Sequence, residues 1–209
     1  MIDFLKYNVK GWLASFIIAV MIVFILKTFV GMPTTVKGTS MSKTLYPDDK
    51  LFLSTWATNF NTVPDRGDII TFEAPSVENL NREKSSVAIY SKNSKSITDK
   101  VLYYSLGISK VSYIKRVIGL PGEHIRIKNG NVYINDKLYK EYYLGDNIKT
   151  DMSLGGEFDD IVVPDNCVFV LGDNRTASID SRKFGCIPVS KIEGKVLARW
   201  WPMKKLGAV

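Results

Sequence analysis

Three stretches of this 209-residue chain concentrate side chains able to do chemistry. The first is Val36-Lys37-Gly38-Thr39-Ser40-Met41-Ser42-Lys43-Thr44-Leu45, which offers hydroxyl groups on a glycine turn. The second is Tyr113-Ile114-Lys115-Arg116-Val117-Ile118-Gly119-Leu120-Pro121-Gly122-Glu123. The third is Gly172-Asp173-Asn174-Arg175-Thr176-Ala177-Ser178-Ile179-Asp180-Ser181-Arg182. A serine becomes a nucleophile when a neighbouring base takes its proton. Free lysine, with a pKa of about 10.4, is protonated at neutral pH and cannot be that base. Burial among apolar groups lowers a lysine pKa by several units. Strand alternation sets Tyr113, Lys115 and Val117 on one face, which gives Lys115 such surroundings. Each stretch also has a plain structural reading. Residues 36–45 read as a polar linker. Lys115 reads as a lysine snorkelling at a strand edge, and residues 172–182 as a capped surface turn.

The commoner hydrolytic sites are short of parts. The one histidine, His124, alternates with Arg126 and Lys128, while Ile125 and Ile127 face the other way. It is therefore expected in solvent, which argues against both a Ser-His-Asp triad and a Cys-His pair. No paired Asp-Thr-Gly loops occur. One histidine and two cysteines, Cys167 and Cys186, exclude a zinc site of three or four Cys/His ligands. They also argue against a disulfide scaffold; a single bridge and two small semi-buried thiols both stay open. A formal net charge of +7 suits nucleic acid or an anionic membrane. The basic residues form no compact tract, which speaks against nucleic acid.

The elements that must position these residues are of two kinds. Residues 11–30 are nearly continuous apolar sequence, and about 20 helical residues span about 30 Å, one bilayer. A transmembrane anchor is expected there, with Trp12 and Lys27 at its ends and residues 1–10 as a cytoplasmic N-terminus. Residues 31–209 are then extracytoplasmic. They read as short strands between turns, at Lys50–Ser54, Asp68–Phe72, Tyr113–Ile118, His124–Lys128, Val132–Ile134, Cys167–Leu171 and Lys191–Trp200. Asn129-Gly130 is a hairpin turn. The expected fold class is mainly β: an N-terminal transmembrane helix, then packed antiparallel sheets. Residues 75–112 are a polar insertion, mobile at least in part.

In this order behind one span, the three stretches resemble the conserved boxes of bacterial type I signal peptidases, the leader peptidase family, in the short single-span form. Arg66-Gly67-Asp68-Ile69-Ile70 and Ile134-Asn135-Asp136 fit family positions too. The resemblance implies a β catalytic domain against the outer membrane face and a serine endopeptidase that removes signal peptides through an acyl-enzyme. By position it implies Ser40 as nucleophile, Lys115 as general base, and Ser178 hydrogen-bonded to Lys115. It implies Asp173 paired with Arg116, Asp180 paired with Arg182, and the Ser40 N–H as an oxyanion donor. Met41, Leu45, Tyr113 and Ile114 would line shallow substrate pockets. Trp56, Phe60 and Trp200-Trp201 could touch the membrane. No metal or other cofactor is implied. The partners are secretory preproteins with a small-x-small cleavage site and the lipid bilayer, not nucleic acid. Two departures stand out: Gly38, where some members place a donor serine, and Lys43, where proline is common.

Overall fold

The structure, a computed structural model, describes residues 11–23, 31–55, 62–76, 85–90, 111–145, 148–150 and 158–209. Residues 11–23 form helix α1, and every residue in it is exposed, including Trp12, Phe16, Ile17 and Val23. Among the described residues no helix is long and apolar enough to cross a membrane. The remainder of the expected span, 24–30, lies outside the described residues, as do Lys27, Trp56 and Phe60.

Among the described residues twelve strands follow: β1 Met32–Thr35, β2 Lys50–Ser54, β3 Ile69–Glu73, β4 Ser112–Gly119, β5 His124–Lys128, β6 Asn131–Ile134, β7 Lys137–Leu138, β8 Asp160–Val162, β9 Cys167–Leu171, β10 Ile187–Pro188, β11 Ile192–Trp201 and β12 Gly207–Ala208. A short helix, α2, covers Ser181–Phe184. The expected mainly β, antiparallel architecture is present. One sheet runs in the order β1-β2-β11-β3-β4-β9-β10, with β12 paired to β11; the other runs β7-β6-β5-β8.

β-branched and aromatic residues form the long strands because the pleated, half-buried surface suits their stiff side chains. The hairpin between β5 and β6 turns on Asn129 and Gly130, both at positive φ (53° and 78°), as a type I′ turn requires. The inward faces of the small sheet, Ile125, Ile127, Val132 and Ile134, pack with Ile118, Phe169, Leu171 and Cys186. A second cluster joins Ile70, Phe72, Val117, Val168, Val170 and Phe184. A third lies beneath the first chemical segment: Val36, Met41, Leu45, Leu51, Leu53, Ile69 and Val196.

Part of the polar insertion is packed against the sheet. Val87 bridges Cys186, the Ala88 N–H donates to the Cys186 carbonyl at 2.8 Å, and Ala88 is buried. The apolar Val87-Ala88 step supplies the reason, since it covers the edge beside β10 within an otherwise polar stretch. The remaining insertion residues at 77–84 and 91–110 lie outside the described residues. Cys167 and Cys186 are both free and buried.

Candidate active site

Ser40 sits just after β1, where the chain coils tightly. The Ser42 N–H donates to Thr39 O at 3.0 Å, and the Leu45 N–H to Met41 O at 2.8 Å. The base of the loop is closed by Val36 N–H to Asp49 O and Asp48 N–H to Val36 O, each 2.9 Å. Met41 and Leu45 plug the loop into the third cluster with no exposed surface. Burying each contributes roughly 1.5–3 kcal/mol, which ties a polar loop to the core. The loop is therefore no linker. Met41 and Leu45, expected as pocket residues, are fully buried here and seat the Ser40 loop on the core. Tyr113 and Ile114 stay half-buried and retain accessible surface.

Lys115 comes from β4, an internal strand paired with β3 on one side and β9 on the other. The β9 register begins only at Arg116, yet Lys115 is just 3% exposed and does not snorkel to solvent. Its Nζ donates to Ser40 Oγ at 2.7 Å and to the Ile114 carbonyl at 3.0 Å. It lies 5.2 Å from the centroid of the Tyr113 ring. Burial pushes its pKa down to about 8, with Asp180 and Asp173 pulling the other way. Burial wins because both carboxylates are already spent on arginines.

Those carboxylates are fully buried. Asp173 accepts from Arg116 Nε at 2.9 Å and Nη2 at 2.7 Å, and Thr44 Oγ1 also donates to it. The Arg116 guanidinium lies 4.1 Å from the Tyr143 ring centroid. Asp180 accepts from Arg182 Nε at 2.8 Å and Nη2 at 2.9 Å, and from the Gly172 N–H at 3.0 Å. Asp180 also caps α2. Two-point guanidinium–carboxylate pairs fix geometry as well as charge. The loop they hold is no surface turn: Asp173, Arg175, Ser178, Asp180 and Arg182 are all buried.

Ser178 departs from expectation. It is buried beside the site, but its hydroxyl makes no hydrogen bond, and Lys115 donates to the Ile114 carbonyl instead. Gly172 lies against it. A Cβ at position 172 would stand 2.5 Å from Ser178 Cβ and 2.5 Å from the Ser40 carbonyl oxygen.

Two residues make contacts that were not evident from the sequence. The Asn174 N–H donates to the Ser40 carbonyl at 2.9 Å, and Asn174 Nδ2 donates to Thr39 O at 3.1 Å. Asn174 thus clamps the Ser40 loop by two of its backbone carbonyls. Arg175, 1% exposed, donates from Nε to Gly172 O at 2.9 Å and from Nη1 to Glu141 at 2.7 Å. It also bonds Thr150 and Tyr143. Glu141 belongs to none of the three stretches, and nothing in the sequence marks it as a partner.

His124 lies in the small sheet, bonded to Asp160 of β8 at the surface, and takes no part in the site. Among the described residues no cluster of His, Cys, Asp and Glu suited to a metal ion occurs. Gly38 is exposed, and a Cβ there would meet nothing within 4 Å. The arrangement is a hydroxyl held against a desolvated amine, braced by buried ion pairs. It is suited to deprotonating a serine without histidine.

The family model described as "Signal peptidase, peptidase S26" matches residues 9–201. The chain is 34% identical over 181 residues to signal peptidase I P of Bacillus subtilis subsp. natto, covering 85% of this chain and 80% of that one. It is 30% identical over 213 residues to signal peptidase IB of Staphylococcus aureus strain COL, covering 96% and 94%. A crystal structure of a signal peptidase I from Enterococcus faecalis V583 is 28% identical, covers 64% of this chain and 97% of that chain, and superposes with a TM-score of 0.40.

Proposed function

This chain belongs to the signal peptidase family, peptidase S26, and on that premise we propose that Ser40 and Lys115 carry out its peptide-bond cleavage. The chain is a serine endopeptidase of the signal peptidase I kind, which removes signal peptides from secreted preproteins. The observation that carries the proposed mechanism is the 2.7 Å contact between Lys115 Nζ and Ser40 Oγ inside a buried site.

The neutral Lys115 amine accepts the Ser40 proton while Oγ bonds to the carbonyl carbon of the preprotein. The oxyanion that forms is met by the Ser40 backbone N–H. The Lys115 ammonium gives its proton to the departing nitrogen as the C–N bond breaks. The mature protein leaves with a free amine, and the signal peptide stays esterified to Ser40. Lys115 then takes a proton from water, whose hydroxide attacks the ester. The proton returns to Ser40 Oγ and the signal peptide leaves as a carboxylate. The sequence cut ends in a small-x-small pattern, and Tyr113 and Ile114 flank its path.

For the setting, we propose a single-pass membrane protein with residues 1–10 cytoplasmic, 11–30 in the bilayer and 31–209 outside. Support comes from the apolar run and from α1, whose large apolar side chains are exposed all round. Apolar surface of that extent is costly in water. Alkaline extraction of cells should leave the chain in the membrane pellet, and release into the supernatant would contradict the anchor.

The cleavage reading is tested with the purified full chain and a preprotein carrying Ala-x-Ala before its mature sequence. N-terminal sequencing of the product should begin at the residue after the second alanine. Intact preprotein, or cleavage elsewhere, would overturn the assignment.

A further inference from the structure

A cavity of about 490 Å³ opens between the nucleophile loop and the 173–176 loop. Ser42 and Lys43 form one wall, Asn174 and Thr176 another, and Ile148 and Lys149 complete it. Tyr113 and Ile114 do not line it. It starts two residues beyond Ser40 and shares its wall with the residue that clamps the Ser40 carbonyl.

The charge of the lining is uneven. Asp173 is matched by Arg116, and Arg175 by Glu141. Lys43 and Lys149 are left over, both exposed. The Lys43 ammonium reaches the Leu144 carbonyl at 3.4 Å. Lys43 is held at φ 96°, a left-handed conformation unusual for a residue other than glycine. The hydrogen bonds on either side of it, Ser42 N–H to Thr39 O and Thr44 N–H to Met41 O, hold the loop in that shape. The Lys149 stem packs over Gly130, where a Cβ would stand 2.9 Å from Lys149 Cβ. Ser42, Thr176 and Asn174 add neutral hydrogen-bonding groups to the same walls.

We propose that this cavity receives the leaving side of the substrate, the first residues of the mature protein, and favours an acidic side chain at the second or third of them. The proposal rests on the Ser40/Lys115 cleavage reading. The acyl half of the substrate passes Tyr113 and Ile114 on β4, so the amine half departs past Ser42 and Lys43. An extended chain advances about 3.3 Å per residue, which brings the second and third residues beyond the cut to a cavity that opens so near the nucleophile. Two lysines with no matched carboxylate in that lining attract a negative side chain and repel a positive one.

The test uses the purified full chain and preproteins identical except for Glu, Gln or Lys at the second and third mature positions. The ratio of kcat/KM for Glu over Lys substrates should be on the order of fivefold, in the range of exposed ion pairs. It should shrink toward one in about 0.5 M salt, where the Debye length falls to a few ångströms. Lys149→Glu should bring the ratio toward one, and the double Lys43→Glu/Lys149→Glu variant should reverse it. Reading a ratio cancels any general loss of activity in the variants. Equal rates for Glu and Lys substrates, or a preference unmoved by the charge reversals, would overturn the subsite. Failure of the wild-type chain to cut the Gln substrate would instead overturn the cleavage reading, and the subsite with it.

Discussion

Gly172 and Ser178 approach so closely that no side chain fits between them: a Cβ on residue 172 would come within 2.5 Å of both Ser178 Cβ and the Ser40 carbonyl oxygen. The Ser40 carbonyl is also the acceptor for Asn174, so the same point joins the nucleophile loop to the loop after β9. Gly172→Ala should therefore lower kcat at least about a hundredfold, by displacing reacting groups that must sit in a near-attack geometry. Steady-state kinetics on a preprotein would check this. Activity within a factor of two of wild type would show that the loops can part without cost.

The pH dependence follows from Lys115. Its pKa is lowered to about 8, and the active form is the neutral amine. Activity should rise as pH passes through about 8 and level off above it. At pH 7 only about a tenth of the molecules hold a neutral Lys115, against roughly one in three thousand for an unshifted lysine. A kcat/KM profile flat from pH 6 to about 9, for enzyme that stays folded, would contradict the assignment.

The same shift carries a stability cost. A lysine whose folded pKa is depressed makes folding less favourable below that pKa. The lost stability is regained as pH rises from about 8 toward the unfolded value near 10.5. Lys115→Met fills similar volume without a charge. It should abolish cleavage and stabilise the fold at pH 7 by about 1–3 kcal/mol, read by chemical denaturation. Equal or lower stability would show that the buried amine carries no net penalty.

Glu141 is expected to act as a positioning residue through Arg175. Glu141→Ala leaves a buried guanidinium without its carboxylate and should cost about 3–5 kcal/mol. Glu141→Gln keeps the shape and part of the bonding, so it should cost less and leave KM closer to wild type. Denaturation midpoints and a kcat-against-KM split on both variants separate loop positioning from substrate contact. Identical behaviour of the two variants would contradict the role.

Much of the fold was legible from local pattern. The alternation of His124–Lys128, the Asn129-Gly130 turn and the apolar run Cys167–Leu171 each prescribe their element, and the structure places strands there. Strand β1 and the short strands β7, β8, β10 and β12 were not foreseen: Met32–Thr35 carries a proline and no apolar alternation, and two or three residues carry no readable period. In the site, Ser40 and Lys115 stood out by residue type and by resemblance. Their burial and contact did not, since these depend on β4 being internal to the sheet. The full burial of Met41 and Leu45 was not legible for a related reason: an apolar residue beside a reactive serine can face substrate or core, and only the tertiary fold decides. Glu141 is distant in sequence from Arg175, so no spacing rule could link them.

Ser40 as nucleophile and Lys115 as its base form one unit, and removing either half should stop cleavage. The most direct measurement compares single-turnover cleavage of a labelled preprotein by the wild-type chain, Ser40→Ala and Lys115→Ala, all shown to be folded by circular dichroism. Both variants should lose at least about a thousandfold in rate, consistent with removing either half of a unit that acts together. Cleavage by either variant at the wild-type rate and position would contradict the claim.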